Sequence, residues 1–315
     1  MVEALSGGGE IAISLLPERR PNLLGIGAAK CGTTWLAGVL AHHPDVFVHP
    51  QKELNALVYG DLEDRLEEYA SYFDQGRTAK VRCDFSVRYL SSSRATAAAA
   101  QLTPDAKLLL VVRNPVDQVQ SHYWHLRRQN FHQNDVVTDI PDLFEALERY
   151  PHLLMEPALY GKHVTRWLEA FPSERLLILD SQNLRDDPEM MLGRICEHLD
   201  IGNFDFSGVI RATSAQEGRG GVSPRNIRSE RLFPWLYVAL ANGPYMSLKR
   251  AIGVQGAERL KRVLRLRETA EAVFFKSGYP RLNAADRARL FEMFRADIDL
   301  LARHAAFARQ WSAGS

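Results

Sequence analysis

The chain has 315 residues, enough for one large α/β domain or two modest ones with a full core. Hydrophobic residues make up 46% and charged residues 24%, the balance of a soluble globular protein. A net charge of +1 excludes a global field that would draw the chain onto nucleic acid, so any anion site is local.

Cys31, Cys83 and Cys196 lie far apart and form no CxxC pair. That argues against a structural zinc site or a disulfide framework, and for a reducing compartment. Residues 1–20 read as a flexible N-terminal arm. Their short apolar run, IAISLL, is followed rather than preceded by a basic pair and makes a poor signal peptide. No run of about 18 apolar residues occurs, so no membrane span is expected, and the expected location is the cytoplasm. Residues 21–315 read as a single domain.

The first expected strand is LLGIGA (23–28), and a helical pattern covers 33–42. Between them lies GIGAAKCGTTWL (25–36). It is not the usual nucleotide phosphate loop, which places Gly-Lys after four intervening residues. Here Lys30 precedes Gly32, and two hydroxyls follow. Lys30 offers a compact charge with three donors. Gly32 permits close backbone approach, and Thr33 and Thr34 stand where the helix presents its first N–H groups. Strand, tight loop and helix N-terminus together suit a phosphate. The plainer reading is an ordinary strand–turn–helix corner with an exposed lysine.

Weaker strands are expected at VFVH (46–49) and KVRCDF (80–85), with a helix at 62–74 between them. KLLLVV (107–112) reads as a buried strand ending at Arg113, and a helix follows over 115–130. Asn114 suits the N-cap, Pro115 the first helical position, and Asp117 the positive end of the helix dipole. Arg113 thus sits at the carboxyl end of a strand, where open α/β sheets bind ligands. Ser121, about two turns on, is placed to share a second anion with it. The alternative is that Arg113 pairs with a nearby carboxylate and Ser121 is a helix-surface serine. Further on come a helix at 158–170, a strand at RLLILD (175–180) and a helix at 188–199. Alternating strands and helices imply parallel pairing in a doubly wound sheet. Residues 211–280 read as a lid or substrate-facing insertion. They begin with the loop-like RATSAQEGRGGVSPRN and continue into an apolar, basic stretch at 231–250 that suits either a helical lid or contact with a membrane surface. The C-terminal segment places Leu290, Phe294, Asp297, Ile298 and Leu301 at helical spacing.

Taken together, these segments resemble the sulfotransferases that use 3′-phosphoadenosine 5′-phosphosulfate (PAPS), from about Leu23 to Trp311. KCGTTWL is similar to the family's 5′-phosphosulfate loop, and LLLVVRNPVDQVQSHYWH to its 3′-phosphate segment. HPDVFVHPQKEL stands where members carry a Lys-Glu dipeptide, and the block from LYGKHVTRWLEAF to CEHLDI is also characteristic. The bacterial and heparan-type branch is the nearer one. The resemblance implies an α/β, P-loop-like three-layer fold with a central parallel sheet flanked by helices. It implies PAPS as co-substrate, with no metal required. By position, Lys30, Cys31, Gly32, Thr33, Thr34 and Trp35 would hold the 5′-phosphosulfate end, and Arg113 and Ser121 the 3′-phosphate. Lys30 would stabilise the leaving phosphate, and Glu53 would be the general base, with Lys52 orienting Glu53 or touching sulfate. Asp84 and His122 are alternative bases, and His125 would line the cleft.

Two departures matter. In CDFSVRYL, Phe85 replaces a lysine of the related pattern and Val87 a proline, so that lysine's help is missing or comes from Arg82 or Arg88. The late loop that completes the adenine and 3′-phosphate site is either FKSGYPRL, with Lys276 and Gly278, or EGRGGVSPRN, with Arg219, Gly220 and Arg225. The acceptor is open among small-molecule, lipid-like and carbohydrate classes, with no nucleic acid partner expected. Two competing functions are a P-loop small-molecule kinase and a non-catalytic nucleotide-binding or interaction protein. Against the kinase, Arg113 occupies the place of a magnesium-binding acid. Against the second, simple binding has no use for Glu53.

Overall fold

The structure is a computed structural model that describes residues 3–5, 12–14, 16–60, 65–128, 141–217, 222–224 and 275–314. The chain divides into two compact units. The first comprises Met1–Val119, Leu147–Gln216 and Asn283–Ser315, and the second Gln120–Ala146 and Glu217–Leu282.

The first unit opens with a short antiparallel pair, β1 (Glu3–Leu5) and β2 (Ala12–Ser14). Its centre is a five-stranded parallel sheet built from β3 (Leu23–Gly27), β4 (Val46–Val48), β5 (Val81–Phe85), β6 (Lys107–Val112) and β7 (Leu176–Asp180). The strand order is β4-β5-β3-β6-β7. Because β3 and β6 are neighbours, with Leu24 opposite Leu108, the loops that leave their carboxyl ends start side by side. The described helices of this unit include α1 (Thr33–Leu40), α2 (Leu66–Ser71), α3 (Ser93–Leu102), the start of α4 (Pro115–Arg128), the end of α5 (Leu143–Arg149), α6 (Pro151–Leu154), α7 (Tyr160–Ala170), α8 (Ser181–Asp186), α9 (Pro188–Leu199) and α10 (Ser207–Glu217). This is the α/β arrangement expected from the alternation of strands and helices.

Local chemistry explains the elements. The central strands are covered on both faces and are therefore continuously apolar; Leu108, Leu110 and Val112 are fully buried. Gly25 interrupts β3 because the ring of Phe85 lies where its Cβ would be, 2.0 Å from that point. Asp187 caps α9 by accepting from the Met190 N–H at 3.1 Å, Pro188 takes the first position, and Asp200 closes the helix in the left-handed region at φ 55°. The C-terminal helix, α11 (Ala284–Leu301), buries Leu290, Phe294 and Ile298. From α11, the Asp297 carboxylate accepts the first N–H groups of α7, from Gly161 and Lys162, at 2.8 Å each, which docks the two helices.

Three expectations need revision. Residues 17–20, expected within a flexible arm, are held, because Arg19 donates to Glu67 and Asp74, and the Arg82 guanidinium donates to the carbonyls of Pro17 and Arg20. The stretch 211–217, read as loop, is the second half of α10. There the Thr213 hydroxyl bonds back to the carbonyl of Val209 and so does not compete with the helix. A helix, α3, stands where none was expected. Among the described residues, no helix is long and apolar enough to cross a membrane.

In the second unit, β8 (Val222–Pro224) and β9 (Phe275–Ser277) pair antiparallel, with Ser223 opposite Lys276. The later turns of α4 carry Ser121, which is buried. Gln120 donates to the Pro280 carbonyl at 2.7 Å, and the Trp124 and Tyr279 rings stack at 11°. Tyr279 and Pro280 therefore lie against α4. Of the lid expected at 211–280, residues 218–221 and 225–274 fall outside the described residues.

Candidate active site

The site grows from the loop between β3 and α1. Lys30 and Gly32 both take left-handed backbone conformations, at φ 66° and 89°. Alternation of this kind turns successive N–H groups inward as an anion nest. Among the described residues, no side chain caps the start of α1, which suits its first N–H groups to a ligand. A Cβ placed on Gly32 would meet no described residue within 4 Å. Thr33 is buried and Thr34 exposed, which gives hydroxyls at two depths.

The second loop leaves β6. Arg113 follows Val112, Asn114 Oδ1 accepts from Val116 N at 3.1 Å, and α4 begins. The two loops are stitched together: the Ala28 N–H donates to the Val111 carbonyl at 2.7 Å, and the buried Gln118 donates to the Ala29 carbonyl at 3.1 Å. Cys31 lies within electrostatic reach of both Lys30 and Arg113. Burial nonetheless pushes its thiol up to about 12, so it stays protonated and its part in the loop is structural. Arg113 does pair with a carboxylate, as the plainer reading had it: Nη2 stands 3.6 Å from Asp117 Oδ2. That is too long for a hydrogen bond.

A third group completes the site. Lys52 Nζ lies 2.6 Å from Glu53 Oε1 and 3.4 Å from Thr33 Oγ1, so the Lys-Glu pair is held against the loop between β3 and α1. Glu53 adopts φ 67° and Asn55 φ 52°, both rare for residues with a side chain. The segment is pinned by the bonds Glu53 N to Phe85 O at 3.0 Å and Asn55 N to Ser86 Oγ at 3.0 Å. Val87 N donates to Glu53 Oε2 at 3.1 Å. The Glu53 side chain keeps 33% exposure, enough to meet an acceptor.

Asp84 is not placed for that task. It is 1% exposed, and its oxygens accept from Tyr89, Tyr69 and Ser86 hydroxyls at 2.6, 2.9 and 2.9 Å. Burial raises its pKa. Asp84 is the anchor beneath Glu53, acting through Ser86 and Asn55. Asp84→Ala would strand two buried phenols and a serine, and is expected to lower unfolding free energy by about 3 kcal/mol in denaturant titrations.

The other sequence candidates fall out as follows. The Trp35 indole donates to Thr213 Oγ1 at 2.9 Å, so its polar end is spent on holding α10. Arg82 does not replace the missing lysine, because backbone carbonyls consume its guanidinium. Arg88 lies over the Tyr59 ring at 5.0 Å. His122 and His125 sit on α4 with ring centroids 6.3 Å apart. Lys276 is on β9 in the second unit, and Arg219 falls outside the described residues. The sequence reading missed the segment 311–313. Trp311 Nε1 donates to Asp180 at 3.0 Å, and Asn114 donates to the Ser312 carbonyl at 3.0 Å. Only the indole in an otherwise polar tail hinted at it.

Comparison with known proteins identifies the family of the chain. The sulfotransferase domain model matches residues 20–220. The mouse bifunctional heparan sulfate N-deacetylase/N-sulfotransferase 1 is 30% identical over 199 residues, which cover 58% of this chain and 22% of the relative. Mouse enzyme 4 of the same name is 31% identical over 205 residues, covering 58% and 23%. The chain thus spans about a quarter of the length of these relatives. A solved sulfotransferase from Alicyclobacillus acidocaldarius is 25% identical, with 62% of this chain and 92% of that chain covered and a TM-score of 0.49. With the family model spanning well over half of the sequence, the chain belongs to the sulfotransferase family.

Proposed function

We propose that this protein transfers the sulfuryl group of PAPS to an acceptor hydroxyl or amine. The observation that carries the reading is the union of three groups in one unit: the nest around Lys30, Arg113 at the end of the adjacent strand, and Glu53 held to the nest through Lys52 and Thr33. The donor fits on chemical grounds. A left-handed nest with uncapped helix N–H groups suits the 5′-phosphosulfate, and a guanidinium suits the 3′-phosphate. Arg113 would hold the 3′-phosphate from the first unit, whereas Ser121 and Lys276, the other residues expected at that end, belong to the second unit. When bound, PAPS supplies the sulfuryl group and a phosphate leaving group. Lys30 and the helix N–H groups then meet the charge that develops on the departing oxygen. Glu53 takes the acceptor's proton on its exposed carboxylate, while Lys52 and Val87 N fix that carboxylate's orientation. Charge is met by fixed protein donors throughout, so no metal is required.

The names of the relatives favour a carbohydrate acceptor over a lipid-like one. The cytoplasmic location expected from the sequence is part of the same proposal, supported by three buried, unbridged cysteines. The test is transfer of labelled sulfate from PAPS, in chelator, to panels of saccharides, phenols and lipid alcohols, with mass analysis of products. Nucleotide binding without turnover on any panel would instead favour a non-catalytic binder. Arg113→Ala is expected to weaken adenosine 3′,5′-bisphosphate binding about 10–100-fold by calorimetry, the loss of one charge-assisted contact.

A further inference from the structure

The Asp117 carboxylate sits between two guanidiniums. Arg287 of α11 donates through Nη1 to Oδ1 at 2.9 Å, whereas Arg113 stands 3.6 Å from Oδ2. Arg287 also donates through Nε to the Ala313 carbonyl at 2.6 Å. The segment holding that carbonyl is fixed on both sides of the Arg113 loop. Asn114 binds the Ser312 carbonyl, and the Trp311 indole binds Asp180, which lies opposite Val112 in the register of β6 and β7. The Trp311 ring meets the buried Tyr160 at 6.4 Å, edge on, and the Tyr160 hydroxyl faces Cys31 Sγ at 3.9 Å. A continuous set of contacts therefore runs from the tail to both anion loops.

We propose that Arg287 and the strap Trp311–Ala313 are positioning elements for the 3′-phosphate, and that Arg287 acts by occupying Asp117 so that the Arg113 charge is left for the ligand. Asp117 is four residues beyond Arg113 on the first turn of α4, the favoured spacing for an ion pair. Left alone, it would close on Arg113 and compete with phosphate. With Arg287 bonded to it the three side chains sum to one positive charge, and the shorter bond goes to Arg287. The strap sets the angle of Arg287 because its Nε and Nη1 are committed to two different partners, a fork that lysine does not reproduce. This inference rests on the reading of Arg113 as the 3′-phosphate ligand.

The test compares binding of adenosine 3′,5′-bisphosphate and adenosine 5′-monophosphate, by calorimetry, to the full chain and to Arg287→Gln and Arg287→Lys. Thermal melting checks that each variant is folded. The unaltered protein should prefer the bisphosphate. Arg287→Gln should lose about tenfold on the bisphosphate and little on the monophosphate, and Arg287→Lys should fall between. If the unaltered protein does not discriminate, the 3′-phosphate reading itself fails. If it discriminates and Arg287→Gln discriminates equally, the positioning role is overturned. Equal loss on both nucleotides also overturns it, by making Arg287 a scaffold residue only. Should Arg287→Gln not fold, Arg287→Lys decides by the same three outcomes.

Discussion

Lys30→Ala is expected to lower kcat for sulfuryl transfer by about 10²–10³-fold, the range for removing a donor aimed at charge that forms in the transition state. The geometry says why the loss should exceed that of a surface lysine. Lys30 stands at φ 66° inside the nest, two residues before Gly32 at the start of α1, so its charge belongs to the loop itself rather than to an outlying surface. Alanine at the same backbone angle adds no strain, since lysine already carries a Cβ there. The variant should therefore fold, and its affinity for adenosine 3′,5′-bisphosphate should drop by about tenfold, less than its turnover. Lys30→Arg separates charge from shape. It restores the positive charge as a planar fork on a longer stem, and should recover binding better than rate. Single-turnover rates alongside calorimetry check this. A kcat in Lys30→Ala within about twofold of the parent would remove Lys30 from the chemistry.

How much of this was readable in advance differs by the range of the interactions. The strand KLLLVV and the helix Pro188–Leu199 are visible because burial on both faces and a Asp-Pro start with an apolar stripe are written locally. The helix Ser93–Leu102 is not, because it buries Ala95, Thr96, Ala99 and Leu102, and small residues leave no strong periodic signal. Its N-cap, Ser92 accepting from Ala95 N at 3.1 Å, was the only local cue. The nest is half legible. Lys30, Gly32, Thr33 and Thr34 follow from chemistry and spacing, but the left-handed angle at Lys30 does not.

Glu53 is the opposite case. QKEL looks like any polar loop, and only the family resemblance singled it out. What makes it a site is non-local: a carbonyl at Phe85, a hydroxyl at Ser86 and an amide at Val87, all more than thirty residues away, with Asp84 holding Ser86 from below. The same structure explains the odd Phe85. Its ring fills the space above Gly25, so the position serves β3–β5 packing, and a lysine there would have to leave that space. The strap is a further non-local device, since Arg287 is 170 residues from Asp117 in the chain. Burial and periodicity specify the sheet; hydrogen bonds between distant segments specify the site.

Glu53→Gln carries the second large effect. Turnover should fall by about 10²–10⁴-fold, the usual worth of a general base, while affinity for adenosine 3′,5′-bisphosphate stays within about twofold, below the worth of one hydrogen bond. The substitution is informative because the carboxylate accepts at both oxygens, from Lys52 at 2.6 Å and Val87 N at 3.1 Å. An amide has one acceptor oxygen, so it keeps one of these bonds and turns an NH2 toward the other donor. If the oxygen stays on Val87, the side chain holds its place and only basicity is lost. Lys52 then keeps its contact with Thr33 at 3.4 Å, which leaves the phosphate loop intact and spares nucleotide binding. If the oxygen turns to Lys52 instead, the 53–55 segment still has its anchors at Phe85 and Ser86. Either way binding and chemistry come apart, as they should for a residue that meets the acceptor and not the nucleotide. The measurement pairs steady-state kcat on the best acceptor from the panel with calorimetry on the same preparation. Undiminished turnover in Glu53→Gln would move the base elsewhere, and a matched loss of binding would mean that Glu53 serves the nucleotide loop through Lys52.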